Sequence, residues 1–570
     1  MGKSFYLTAL FLLFTSLPSY CLPKGCTVWG QVLCDGKAVQ GAVITDSDEI
    51  AVTDRKGFYY LNSAKRSGIV SISIPSGCEV ACIDGMPAFW QRLSPETGLV
   101  ERHDFSLTAA DNSRHAVIAL TDIHLANNWD DNRQFQDVFM PRLRQEVEKC
   151  RREGYRVYAV NMGDSSYDRY WYEYDYSIGS FPGTLKEAAF PVPMFCTMGN
   201  HDNDGATMQG VQVDFRAETA YRDAMGPVRY SFNLGEVHYI MIDNVVYKNS
   251  EGRVDNYDGI VGKRDYDVYF TPETLSWLQK DLATVKDRTA PLVVAFHCPA
   301  LEYKSGLSTN PIRSRLKKDG ADPDSLLNEF TALFKDFPSV HFLTGHTHKN
   351  LLCRGSDDTS KYPYIANITD HNITAVCGCW WQTKAQGGLS LSCDGGPSGF
   401  EVFHMDGKDM DWYFVSNDDG ASEQFRVFDM NAVRDYYRQS REVQLMLRHY
   451  PERTDYRNVE DNLVLINVWA WENTWKIEVT ENGKALDVKQ KKMENPQYTL
   501  SYYLPKMSWE DGLSKQRWAE KYGAPAPNPH IFCVHASSAE STLVVTVTDG
   551  FGRRYTRTVE RPKAFSKLMR

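Results

Sequence analysis

The chain has 570 residues, more than one hydrophobic core usually organises, so two to four domains are expected. Hydrophobic residues make up 42% and charged residues 24%, a globular composition that excludes a disordered or fibrous chain. A net charge of −10, with no long Lys/Arg-rich run, excludes duplex nucleic acid as the main partner.

The N-terminus carries Lys3, an apolar stretch from Phe5 to Leu17, then small residues and a proline. This pattern predicts a secretory signal peptide over 1–21, too short and wrongly flanked for a membrane span. Ser19 and Cys21 stand where the −3 and −1 residues of a cleavage site belong. Cys21 is also a candidate for a lipid tether, although Tyr20 before it fits a lipoprotein signal poorly. No later apolar run is long enough to span a bilayer, so a soluble or lipid-tethered protein, secreted, periplasmic or at the cell surface, is expected.

Residues 22–110 read as a small all-β domain. Short alternating runs such as "GQVLCDGKAVQGAVIT" and "SGIVSISIP" are separated by Gly- and Asp-rich turns. There are 13 cysteines, and in an exported chain Cys26, Cys34, Cys78 and Cys82 are disulfide candidates. Cys377 and Cys379 in "AVCGCWW" resemble half of a metal motif, but with no second pair nearby they read better as same-face strand residues.

Over 111–415 the texture changes to apolar strands alternating with helical patterns, an α/β region. "HAVIAL", "YRVYAVNM", "VPMFCTM", "EVHYIMID", "PLVVAFH" and "VHFLT" are predicted strands. Phe135, Val138, Phe139, Leu143 and Val147 recur at helical spacing, with Gly154 as C-cap and Pro141 predicting a kink or a broken first segment. "TPETLSWLQKDLATV" predicts a helix with Thr271 as N-cap and Pro272 at its first position. "SLLNEFTALFKDF" predicts another. "SNDDGASEQF" reads as a polar linker. The stretch 416–570 returns to β texture, with hairpins at "ENG" and "DGFG" and a helical insertion around "MNAVRDYYRQSREVQLMLRHY".

The predicted strand ends carry the chemistry. "LTDIHL" offers Asp122 and His124, "NMGDSSYD" Asp164 and Asp168, and "TMGNHDND" Asn200 and His201. "AFHCPA" offers His297, and "LTGHTHKN" His346 and His348. Each element taken singly is common. The whole set, each member following an apolar strand, points to one edge of a sheet, where α/β active sites lie. Carboxylates, imidazoles and one amide oxygen suit zinc, manganese or iron. Such a set exceeds what one tetrahedral ion needs and suits two ions sharing a carboxylate. Gly345 is the residue expected to permit the turn that presents the last two histidines.

"DIH", "GDSSYD", "GNHD", the lone His297 and "GHTH" resemble the signature of the calcineurin-like metallophosphoesterases. The resemblance covers about Arg114 to Phe403. It implies a two-layer β-sandwich flanked by helices and a dinuclear site of two divalent ions (Mn, Zn or Fe). By motif, Asp122, His124 and His348 would bind one metal, and Asn200, His297 and His346 the other. Asp164 would bridge them. His201 would protonate the leaving oxygen or steady the transition state, oriented by Asp168, while a bridging hydroxide attacks phosphorus. The interval from Asp122 to Asp164 is long for the pattern, which predicts an added loop and helix there. "TDRKGFYYL" resembles a turn of carboxypeptidase-regulatory-like sandwiches. The outer regions and "CGCWW … SCDGGPSGFEVF" resemble a secreted bacterial subgroup with β accessory domains at both ends.

The expected function is therefore secreted, metal-dependent hydrolysis of a small phosphate mono- or diester. The alternative is a surface binding protein around a catalytically weak phosphoesterase-like core. The aromatic run "SSYDRYWYEYDYSIGSF" after Asp164 is suited either to stacking a base or sugar ring or to bracing the loop. Trp380 and Trp381 share that ambiguity. Lys349 is suited either to meeting a phosphate or to solvation.

Overall fold

A computed structural model describes residues 22–253, 257–304, 311–376, 391–504 and 524–566. The predicted signal peptide, Cys377, Cys379, Trp380 and Trp381 lie outside the described residues.

The central region is a two-layer sandwich of mixed sheets. One sheet runs, from edge to edge, Met194–Cys196, Arg156–Asn161, Arg114–Leu120, Gly399–Asp406 and Asp409–Ser416. Its first three strands are parallel, and the last two close it as an antiparallel hairpin. The other sheet runs Arg229–Leu234, Val237–Ile242, Leu292–Ala295, Val340–Thr344, Ile368–Asn372 and Leu351–Arg354. Its four inner strands are parallel and each outer strand is antiparallel.

Strand alternation sorts the residues between layers. Val117, Ala119, Val160 and Phe195 meet Tyr239, Met241, Val293 and Leu343 between the sheets. Their neighbours Ile118 and Leu120 face outward onto Phe139, Leu143 and Val147, while Ile240 and Val294 face Trp277, Leu278 and Phe330. Both faces of each parallel core are thus covered, which is why these strands read as continuous apolar runs. Pro141 sits where the sequence predicted a break. The chain makes a π turn over Gln134–Phe139, and the regular α-helix begins at Met140–Arg152. Pro141 has no N–H to donate and its ring crowds the carbonyl four residues back, so the wider turn relieves both defects. Gly154 follows this helix at φ 87°, in the left-handed region of a C-cap. Thr271 caps Pro272–Leu282 through its side chain, as its sequence position predicts.

The N-terminal region is a β-sandwich in which Asp54 Oδ1 accepts from the N–H groups of Lys56 and Phe58, at 2.8 and 2.9 Å, to close the Thr53–Phe58 turn. It is not a free module. Asn233 N donates to Ile74 O at 2.9 Å, and the Phe89 ring packs with its centroid 4.5 Å from that of Tyr230, so the sandwich covers the edge of Arg229–Leu234 and shares its core. Cys26, Cys34, Cys78 and Cys82 are unbonded thiols here, with the Cys34 and Cys78 sulfurs 3.5 Å apart. The C-terminal region packs two four-stranded sheets, with Met430–Gln439 and Arg441–His449 as the predicted helical insertion. An ion pair of Arg354 with the buried Glu472, and Arg553 bonding to Asp411 and to Trp412 O, dock it on the central sandwich. No helix among the described residues is long and apolar enough to cross a membrane.

His115 is fully buried, its Nδ1 2.9 Å from Asn112 O and its Nε2 2.7 Å from Tyr239 Oη. Burial lowers its pKa to about 4, against about 6.5 in the unfolded chain. The folded state therefore binds fewer protons than the unfolded state between these values, and stability falls as pH drops from about 6.5 to about 4. The loss from this one side chain is about 3 kcal/mol. Urea melts across that window should show it, and H115N should flatten the proton-linked part.

Candidate metal centre

Every predicted site residue follows the C-terminal end of a parallel strand, and the ends of both sheets meet. The loops zip together through their backbones. Asp122 N donates to Gly163 O at 3.0 Å, His124 N to Asp164 O at 2.9 Å, and Gly345 N to His297 O at 2.8 Å. Five of the seven predicted ligands adopt left-handed backbone: Asp122 (φ 54°), His124 (53°), Asp164 (53°), His346 (69°) and His348 (58°). Such conformations cost energy for residues other than glycine, so the surrounding packing holds the chain there.

This corrects one expectation. Gly345 is not the turning residue; the two histidines turn instead. Gly345 is required for space, because a Cβ there would collide with Thr121 Oγ1 and lie 2.6 Å from Asp122 Oδ2. Gly199 plays the same part against Asp164, whose backbone N and Oδ1 would both meet a Cβ.

The side chains form two clusters. In the first, Asp122 Oδ1 is 3.4 Å from His124 Nε2 and 3.0 Å from His348 Nε2, and the two imidazole nitrogens are 3.1 Å apart. In the second, Asn200 Oδ1 is 3.0 Å from His297 Nε2 and 2.8 Å from His346 Nδ1, which are 3.3 Å from each other. Asp164 Oδ2 lies between them, 3.1 Å from His297 Nε2 and 3.8 Å from His124 Nε2. All seven predicted ligands therefore converge.

These spacings fit metal ions. Ligands about 2.1 Å from a common ion lie about 3.0–3.4 Å apart around it. Asp122 Oδ1 is buried and accepts no hydrogen bond among the described residues, although its Oδ2 accepts from Thr121 Oγ1 at 2.6 Å and His346 N at 2.8 Å. His297 Nδ1 faces Met162 O at 2.8 Å, which orients the ring so that Nε2 is the nitrogen aimed at the cluster. Burial alone would raise the Asp122 carboxyl, but His348, His124 and His297 hold it well below the usual range. Asp164 is likewise drawn down to about 2, burial being outweighed by His297 and His201. Both carboxylates are thus kept ionised, as ligation requires. Cys298 also approaches His297 and His346, beside the Asn200 oxygen that lies within 3.0 Å of both.

His201 and Asp168 form a separate arm. His201 Nδ1 is 2.7 Å from Asp168 Oδ1, and its ring centroid is 5.3 Å from that of His124. Thirteen per cent of the His201 side chain is exposed, whereas those of His124 and His297 are wholly buried, so the arm faces the open side. Two residues that the sequence reading missed support it. Arg264 grips Asp168 with two hydrogen bonds of 2.6 Å. Asp202 gathers the N–H groups of Ser165, Ser166 and Gly199 and so ties the loop of Asp164 to that of Asn200. Asp202 was visible as the last residue of "GNHD"; Arg264, 96 residues beyond Asp168, carries no local signal. In the aromatic run, Tyr167 packs on His201 and His124 at 4.5 and 5.1 Å, and Tyr170, Trp171 and Tyr176 are buried. Most of the run braces the loop; Tyr172 and Tyr174 remain exposed.

A family model for calcineurin-like phosphoesterases matches residues 115–350. Models for the N-terminal and C-terminal parts of such proteins match residues 26–110 and 370–555. The chain belongs to the calcineurin-like phosphoesterases. It is accordingly a hydrolase of phosphoester bonds. Among solved structures, this phosphoesterase is similar to a dimetal phosphatase from Danio rerio, with 14% identity over 53% of this chain and 96% of that one and a TM-score of 0.32. It is also similar to PhoD, with 10% identity over 75% and 83% of the two chains and a TM-score of 0.34. A 5'-nucleotidase from Candida albicans matches at 12% identity over 53% and 51%, with a TM-score of 0.27. No curated protein matches the chain.

Gly345→Ala should push Asp122 aside while leaving the fold intact. Metal retained after dialysis, read by elemental mass spectrometry, and phosphatase activity should both fall by about 10–100-fold. Gly183→Ala, where a Cβ meets no described residue within 4 Å, should change neither.

Proposed function

We propose that the protein is an exported two-metal phosphoesterase acting on a small phosphate mono- or diester. The observation that carries this reading is the pair of ligand clusters joined at Asp164. Asp122, His124 and His348 would hold one divalent ion (Mn, Zn or Fe), and Asn200, His297 and His346 the other. When bound, two such ions polarise phosphoryl oxygens and lower the pKa of water, so that a hydroxide nucleophile is present near neutral pH.

The remaining work falls to the chain's own residues. Asp164 keeps the two clusters in register. His201, with Nδ1 committed to Asp168, presents Nε2 for transfer of a proton to the leaving oxygen. Asp168 fixes the ring, and Arg264 fixes Asp168 in turn, so the donor loses little orientational freedom at the moment of transfer. Tyr167 closes the other side of the His201 ring.

The rival reading, a binding protein around a decayed core, predicts a missing ligand or acid. The presence of all seven ligands together with His201, Asp168 and Arg264 supports the enzyme. Residues 1–21 are proposed to direct export, on the charge and apolar pattern around Lys3 and Phe5–Leu17. The division into 22–110, 111–415 and 416–570 is proposed on the boundaries between separate sheets.

Protein expressed from about Pro23 onward should carry about two metal ions per chain. It should hydrolyse p-nitrophenyl or bis-p-nitrophenyl phosphate, and Asp164→Asn should abolish both metal uptake and turnover. A clearly lower metal content, or activity that survives Asp164→Asn, would overturn the two-metal reading. His201→Gln should retain metal yet lower kcat by about 10²–10⁴ on an alkyl phosphate. The loss should be smaller on p-nitrophenyl phosphate, whose leaving group needs no proton.

A further inference from the structure

A cavity of about 220 Å³ lies between the central sandwich and the C-terminal region. Thr347 and Lys349, which alternate with His346 and His348, line one side, together with Pro299, two residues after His297. Asp394, also from the central region, and Trp471 and His530, from the C-terminal region, line the cavity too. The metal-ligand loop is thus also a wall of this interdomain space.

The wall is polar in an unusual way. Trp471 Nε1, Asp394 Oδ2 and His530 Nδ1 are buried and have no hydrogen-bond partner among the described residues. Asp394 Oδ2 and His530 Nδ1 are 3.7 Å apart, and their side chains are only 3% and 2% exposed. Burial lowers the pKa of His530, so the ring is neutral near pH 7 and offers one donor and one acceptor. The cavity therefore combines an unused indole donor, an unused carboxylate acceptor and an amphoteric imidazole. Unsatisfied buried groups of this kind cost free energy unless a ligand or water meets them.

Charge narrows the occupant. Arg313 and Arg315 are both committed to Glu302, at 2.5 Å each, and Lys349 lies beside Cys393 and Asp394. An anion set against Trp471, Asp394 and His530 would face the Asp394 carboxylate, so a second phosphate or carboxylate is disfavoured there. A hydroxyl both donates and accepts, and a ring of hydroxyls has an apolar C–H face that packs on an indole. We propose that this cavity binds a polyhydroxylated ring, a sugar or a cyclitol, behind the loop that carries His346 and His348. The ring belongs either to the alcohol part of the phosphoester or to a free saccharide. The first source rests on the function proposed above; the second does not.

Both sources are testable with the full mature chain. Calorimetric titration with glucose, galactose and myo-inositol should show millimolar or tighter binding of at least one. Trp471→Ala and Asp394→Asn should each weaken it by about tenfold or more, with unchanged melting temperatures for a folded variant. If the ring is part of the substrate, Asp394→Asn should also lower kcat/KM for glucose 1-phosphate or glucose 6-phosphate about tenfold relative to p-nitrophenyl phosphate. If the ring is a free saccharide, binding falls while that ratio stays fixed. Absence of binding by every sugar and sugar phosphate to folded wild-type protein would overturn the proposal. So would variants that bind as well as wild type. Sugar binding by a protein inert toward p-nitrophenyl phosphate would overturn the phosphoesterase reading alone.

Discussion

Asp164 is the carboxylate on which the centre depends. It is buried between two imidazole clusters, with Oδ2 facing both and Oδ1 accepting from His201 N at 2.7 Å. A buried charge persists only where opposite charge and directed hydrogen bonds outweigh lost hydration. Here the histidines supply that compensation, and metal cations would supply more. Much of the nearby structure serves to bring those groups to it. Asp202 staples its loop to that of Asn200, and Gly199 is kept bare so that Asp164 can approach.

Backbone strain is concentrated at the same place. The left-handed residues Asp122, His124, Asp164, His346 and His348 all follow well-packed strands. The rigidity that tolerates them comes from the two-sheet core behind and from the loop-to-loop hydrogen bonds in front. The outer regions add to that rigidity. The N-terminal sandwich continues the core and covers the Arg229–Leu234 edge, while the C-terminal sandwich is pinned through Arg354, Glu472 and Arg553. Neither hangs as an independent bead, and the second contributes Trp471 and His530 to a cavity that the histidine loop also lines.

Legibility in the sequence followed the range of the interactions concerned. Apolar strands such as Val340–Thr344 and capped helices such as Pro272–Leu282 were readable because alternation, caps and Pro placement act over a few residues. The break near Pro141 was readable for the same reason, though not the π turn that takes it up. Arg264 was not readable. Its role depends on a contact with Asp168 that only the fold creates. The role of Gly345 was misread because a glycine at a turn suggests conformational freedom, whereas the decisive fact is how close Thr121 and Asp122 come to it.

By itself, the sequence determined which residue types stand at each strand end, and hence a chemistry of carboxylates, imidazoles and one amide oxygen. That follows from local rules, since a polar cluster directly after an apolar strand must emerge at a sheet edge. The tertiary structure alone decided which of those ends meet, at what spacing, and which partners hold them. It alone placed Arg264 on Asp168 and joined the C-terminal region to the back of the His346–Lys349 loop. Those arrangements arise from packing two sheets and three regions together, and residues far apart in sequence carry no mark of it until the layers close.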